Sequence, residues 1–260
     1  MLINNLEVED IYSAAYKSGA LTLENVIKTT FDKFHIRYLT TNVISRDNCL
    51  KREIAGKTMA TMLQFLFNER LFEYLIKEQV RVKFVGDVEL ICRIAEDPDK
   101  LRDTIRRVEE STASFNKYYL IMLTAYDPVY EYVKLLVKNK ELIVSPDDFD
   151  KTAMIRQYYG FDVPHVDFII RTWWPRFSII PILVGEHSDI YLFPGPQQTF
   201  NKQQYTKIVR DYESRMTSKD SGEAYKKGSG RNMAKLKRKL ASVEPVLIGS
   251  KIDGVWIPLK

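Results

Sequence analysis

The chain has 260 residues, 45% hydrophobic and 12% aromatic, enough apolar material for one large domain or two small ones without disulfide or metal staples. Its only cysteines, Cys49 and Cys92, lie outside any metal-ligand spacing, so a zinc site is excluded and a reduced, cytoplasmic protein is expected. The net charge of +5 is concentrated: residues 218–240 carry eight Lys or Arg against two acids, which is +6 and leaves −1 for the remainder.

Helical period runs through "ALTLENVIKTTFDKF" and gives way to a β-branched run, "IRYLTTNVIS". "AGKTMATMLQFLFNERLFEYLIKEQ" reads as one long amphipathic helix and "VRVKFVGD" as the strand after it. "DKLRDTIRRVEESTA" leads to the strand "KYYLIMLTAY". The helices "DPVYEYVKLLVKNKEL" and "DFDKTAMIRQYYG" come next, and the strands "VDFIIRT" and "SDIYLF" close the series. Strands separated by helices of this length predict an α/β fold with a mostly parallel central sheet flanked by helices, and ligands at the carboxyl ends of the strands. No window reaches the roughly 18 apolar residues of a membrane span.

This domain is expected over residues 1–217, followed by a basic C-terminal extension, 218–260. The extension holds "SG" and "GSG" breaks and reads as a linker entering a short basic helix. Such a helix is a solvated surface or a peripheral membrane contact. Its basic residues lack interleaved aromatics, so no nucleic-acid partner is expected.

The strand ends are polar: Ser45-Arg-Asp-Asn48, Asp87, Tyr126-Asp127 and Arg171-Thr172. Turns favour such residues anyway. Arg171 stands apart, because an arginine ending four apolar residues of an expected central strand needs an anionic partner. Arg176 and Ser178 add donors to "RTWWPRFS", and guanidinium forks suit phosphate oxygens. The G-x-S-x-G and Walker motifs are missing from the chain, so it lacks the residues for hydrolase and nucleotide-dependent readings.

At these residues the sequence resembles the cis-prenyltransferases, of which undecaprenyl diphosphate synthase is the familiar member. The family carries an "IRT" strand end, then R-x-S, then an acid eleven positions later opening a strand; here these are "IIRT", Arg176-Phe-Ser178 and Asp189-Ile-Tyr-Leu192. The S-x-x-N of its second strand end matches Ser45 and Asn48. "LIMLTAYDPVYEYV" is similar to its N-Y-G-G-R region with the motif eroded, and "TFNKQQYTKIVRDYESR" to its last helix. The resemblance implies that Arg171, Arg176 and Ser178 hold the diphosphate of isopentenyl diphosphate, that Asp189 is a Mg2+ ligand, and that Ser45 and Asn48 orient the reacting ends. It also implies a chain-binding cleft lined by the stripe containing Met62 and Leu66, a stripe that by periodicity alone is ordinary core.

Two departures change the expectation. The family's D-G-N-x-R phosphate loop is missing from the sequence; counting back from Tyr16, its aspartate would fall before Met1. The family also has a Gly-Gly where this chain has Trp173-Trp174-Pro175. Indoles fill space that glycines leave open, so Trp173 and Trp174 either form an apolar or cation-stabilising wall of an altered pocket or fill a vacated one. The expected protein is a transferase using isopentenyl and allylic diphosphates with Mg2+, non-standard in its condensation or cyclisation. The alternative is a catalytically silent subunit of a heteromeric cis-prenyltransferase. A homodimer, or a heterodimer with a related subunit, is expected in either case.

Overall fold

The computed structural model describes residues 18–51, 53–67, 69–172, 179–220, 250–252 and 255–257. At its centre is strand β3 (Tyr118–Tyr126), whose nine residues are all buried. An apolar run without polar alternation must be covered on both faces. It lies between β1 (Tyr38–Ser45) and β2 (Val80–Gly86) and runs parallel to both. Register pairs Tyr38 with Tyr119 and Val80 with Tyr118, and at the other edge Ser45 with Tyr126 and Gly86 with Thr124. The strands therefore start together and end together.

The parallel strands require crossovers, and helices supply them. Helix α1 (residues 18–28) runs into a π-helical turn, Thr29–Lys33, before β1. Helices α2 (Arg46–Lys51), α3 (Glu53–Leu66) and α4 (Glu69–Lys77) join β1 to β2, and α5 (Val88–Ile94) and α6 (Pro98–Thr112) join β2 to β3. After β3 come α7 (Pro128–Lys138) and α8 (Lys151–Tyr159). The long helix expected before β2 is thus two. The sequence places Asn68 before Glu69, a helix-start signal that the apolar period concealed.

Two cores follow from the two-residue period of the strands. Val80, Val82, Phe84, Leu120 and Met122 face one core, built with side chains of α1 and α3 to α6. Val85, Ile121 and Leu123 face the other, with Leu135, Met154, Tyr159 and Ile182 to Val184. Helices on both faces of a parallel sheet make this an α/β fold, as the alternation of patterns predicts.

The chain divides into two compact units, Met1–Ile169 with Arg176–Asp189 and Ile170–Pro175 with Ile190–Lys260. Strands β4 (Phe168–Thr172) and β5 (Asp189–Phe193) pair in a two-stranded sheet. The central-strand reading of β4 is therefore corrected: all five of its residues are half-buried. Three apolar residues in a row, Phe168 to Ile170, do not distinguish a central strand from a pair of this kind. Helix α9 (Lys202–Asp220) runs across the boundary drawn at 217/218. In the second unit Tyr191 donates to Asp211 Oδ2 at 2.5 Å, and Phe193 packs edge-on to Phe200. The linker and basic helix expected after it lie largely outside the described residues. Within the extension, β6 (Ser250–Ile252) and β7 (Val255–Ile257) pair antiparallel. Among the described residues no helix is long and apolar enough to cross a membrane.

Gly86 ends β2 at φ +114°, and a Cβ there would lie 2.2 Å from the Thr124 carbonyl oxygen. Both the backbone angle and the β3 contact demand glycine. Gly86→Ala is expected to cost more than about 2 kcal/mol of stability, read from the urea midpoint. An unchanged midpoint would mean that β2 and β3 do not approach this closely.

Candidate functional site

All three parallel strands lose regular geometry at their carboxyl ends, where α/β folds bind ligands. The β1–β3 register slips between Asn42 and Ser45, Gly86 has its positive φ, and Ala125 is held at φ +43°. Polar side chains next to these breaks close the helices that follow. The Asn48 N–H donates to Ser45 Oγ at 3.3 Å in the first turn of α2. Asp87 Oδ1 accepts from Leu90 N at 3.2 Å and caps α5; Asp127 Oδ1 accepts from Tyr130 N at 2.8 Å and caps α7, with Pro128 at its first position. The turn-forming reading of these residues accounts for the bonds they make. The Ser45 hydroxyl proton is not used in its bond from Asn48, whose residue is exposed.

Arg46, Tyr130, Glu131 and Tyr158 join this edge and were not singled out from the sequence. Arg46 Nε lies 3.4 Å from Asp87 Oδ2, and its guanidinium sits 3.9 Å from the centre of the Tyr130 ring. A cation held between a carboxylate and a ring face is well fixed. Glu131 projects inward from the first turn of α7 and is 2% exposed. Its Oε2 accepts from the Tyr158 hydroxyl at 3.2 Å, whereas Oε1 has no hydrogen bond and only Lys134 Nζ at 3.8 Å. Burial pushes the Glu131 carboxyl above its ordinary range, against the opposing pull of Lys134 and of the Tyr158 bond. Burial likewise pushes the Cys49 thiol up to about 11, helped by Asp87.

Tyrosines tie down the chain that follows Ser178. The Tyr126 hydroxyl donates to the Ile180 carbonyl at 3.0 Å and accepts from Ile182 N at 2.9 Å, and the Tyr159 hydroxyl donates to the Ile182 carbonyl at 2.9 Å. Further on, Ser188 Oγ donates to the Val166 carbonyl at 2.7 Å and Asp189 N to the Asp167 carbonyl at 3.0 Å. His187 N donates to His165 Nε2 at 3.2 Å beneath stacked imidazoles.

The residues expected to form the site lie on several elements. Ser45 and Asn48 stand together at the β1 end, and Met62 and Leu66 together inside the first core, 7% and 2% exposed. Arg171 is half-buried on β4 within the second unit, and Asp189 opens β5 at the end of the first. Trp173, Trp174, Arg176 and Ser178 lie outside the described residues. Among the described residues no three His, Cys, Asp or Glu side chains gather as a metal cage. Magnesium usually keeps water and substrate phosphate oxygens beside one or two carboxylates, and a hard carboxylate such as Asp189 is the kind of ligand it takes.

Residues 7–219 match the family described as "Putative undecaprenyl diphosphate synthase". The chain belongs to that family. Tritrans,polycis-undecaprenyl-diphosphate synthase (geranylgeranyl-diphosphate specific) of Methanocaldococcus jannaschii is 27% identical over 209 residues, covering 76% of this chain and 71% of the relative. Dehydrodolichyl diphosphate synthase 4 of Arabidopsis thaliana is 22% identical over 210 residues, covering 78% and 70%. The crystal structure of lavandulyl diphosphate synthase from Lavandula x intermedia in complex with dimethylallyl diphosphate superimposes with a TM-score of 0.64 at 18% identity, covering 77% of this chain and 85% of that one. That likeness establishes the fold.

Within the undecaprenyl diphosphate synthase family, the region similar to N-Y-G-G-R is here an aspartate-capped helix start, Asp127-Pro128, carrying Glu131 one turn on. An acid whose folded pKa lies above its unfolded one binds more protons when folded, so stability falls as pH rises between the two values. Glu131→Gln keeps an acceptor for Tyr158 and escapes that loss. The variant is expected to be more stable than wild type at pH 8, with the gain vanishing towards about pH 4, the unfolded carboxylate range. Urea unfolding at both pH values checks this, and a larger loss at pH 8 would mean that the native Glu131 is held ionised.

Proposed function

We propose that this family member is a transferase acting on isoprenoid diphosphates with Mg2+, in a condensation or cyclisation that departs from the family's usual one. The observation that carries the reading is the family match over residues 7–219, a span that contains Arg171, Arg176, Ser178 and Asp189. Arg171 and Arg176 offer planar forks to diphosphate oxygens, and the Ser178 hydroxyl adds a donor. Asp189 would hold a magnesium ion, which would supply positive charge to neutralise the leaving diphosphate. Ser45, whose hydroxyl proton is unspent, and Asn48 orient the reacting ends. Met62 and Leu66 belong to the apolar stripe against which the growing chain would pack, each methylene moved out of water contributing about 0.8 kcal/mol. Trp173 and Trp174 reshape the pocket, with ring faces able to stabilise a carbocation by roughly 0.5–2 kcal/mol.

A second reading, a catalytically silent subunit beside an active and related partner, draws on the strand-end acids. Asp87 is committed to a cap and to Arg46, and Asp127 to a cap. Such a subunit keeps the fold while its partner carries out the chemistry.

Incubation of the full chain with radiolabelled isopentenyl diphosphate and short allylic diphosphates tests both. A magnesium-dependent product that disappears in Asp189→Ala is the expected result. No product alone, with activity appearing when a loop-bearing homologue is added, would replace the first reading with the second. Arg171→Ala is expected to weaken isopentenyl diphosphate binding by roughly 1.5–3 kcal/mol, the value of hydrogen bonds to a charged group. Equal affinity in calorimetry would remove Arg171 from the site.

A further inference from the structure

The amino ends of the same strands carry a second set of side chains that prenyl transfer does not use. Tyr38 opens β1, Arg81 is the second residue of β2 and Tyr119 the second of β3. With eight residues in β1, this edge is about 23 Å from Ser45 at the usual rise per residue. The Tyr38 and Tyr119 rings lie face to face, 4.5 Å apart and 7° from parallel, and Phe161 follows Tyr119 at 4.9 Å. Among the described residues this column ends at Tyr38, whose ring is half-buried. The column borders an open pocket of about 480 Å3 lined also by Arg37, Arg156, Gly160 and Asp162.

Its charge is unbalanced. The Arg37 guanidinium lies 5.7 Å and 5.6 Å from the Tyr38 and Tyr119 centroids and donates once, to the Asn116 carbonyl at 3.2 Å. Arg81, 4.7 Å from the Phe161 centroid, closes the other end of the column and is not part of the pocket lining. Arg156 is the one guanidinium here that is paired, with Asp162. The geometry points to a binding site for a small ligand that joins a planar aromatic ring to an anionic group, the ring lying against the tyrosine column and the anion meeting the unspent donors of Arg37. Its volume falls in the range of small-molecule pockets, and ring stacking beside arginine is the chemistry that holds nucleotide bases. Adenosine 5′-monophosphate is the simplest probe of that description. The site stands independently of the transferase reading, since none of its residues belongs to the diphosphate motif.

Calorimetric titration of the full chain with adenosine 5′-monophosphate, adenosine and inorganic phosphate tests it. The monophosphate is expected to bind saturably, at least tenfold more tightly than either part. Tyr38→Leu and Arg37→Ala should each weaken it about tenfold, while Arg171→Ala leaves it unchanged. Both substitutions lie on the exposed or half-exposed rim, and urea midpoints equal to wild type show that the fold is retained. No saturable binding by the monophosphate would overturn the site. So would phosphate alone binding as tightly, or binding lost in Arg171→Ala and kept in Arg37→Ala, which would put the anion on the diphosphate motif.

Discussion

Strand β3 has no face turned to water, and the architecture of the first unit answers that one constraint. Nine buried residues in a row leave their backbone groups no partner but neighbouring strands, so β1 and β2 pair on either side. Parallel pairing forces each connection to travel the length of the sheet, which brings helices over both faces and gathers all three carboxyl ends at one edge. The polar edge and the two cores are consequences of a strand that reads YYLIMLTAY.

That edge is arranged to hold charge. Positive φ at Gly86 and Ala125 and the slipped register of β1 turn backbone away from the ladder. Aspartates then close the helices that leave it, and Arg46 is pinned between Asp87 and Tyr130. A buried acid at Glu131 completes the group. Backbone departures of this kind cost stability and tend to gather where a protein binds or reacts.

Much of this was legible in the residues. The continuous apolar run of β3, the alternation in VRVKFVG and the Asp-Pro start of α7 each carry their own physical signature. The family was legible too, through the order of "IIRT", Arg-x-Ser and Asp189. Other features were not. A strand with three apolar residues cannot announce which sheet it joins, and β4 pairs with β5 and not with the central strands. Arg46 looked like a spacer inside Ser-x-x-Asn, because its value comes from Asp87 and Tyr130, distant in sequence. Glu131 looked like any acid in a first helical turn, where exposure is the rule; its burial depends on Tyr158, more than two turns of another helix away. The pairing of β6 with β7 has a sequence signal of its own, Asp253-Gly254 ahead of the apolar triplet Val255-Trp256-Ile257.

The tyrosine at the end of β3 links the rigid part of the molecule to a stretch without regular structure. Its hydroxyl holds both the carbonyl of Ile180 and the amide of Ile182, two residues apart, from the last position of the most protected strand. A segment fastened in this way cannot open alone. The Ile182 amide should therefore exchange its hydrogen at the slow pace of the sheet, so the chain following the Arg-x-Ser motif belongs to the cooperative core in its dynamics, although by secondary structure it is a loop.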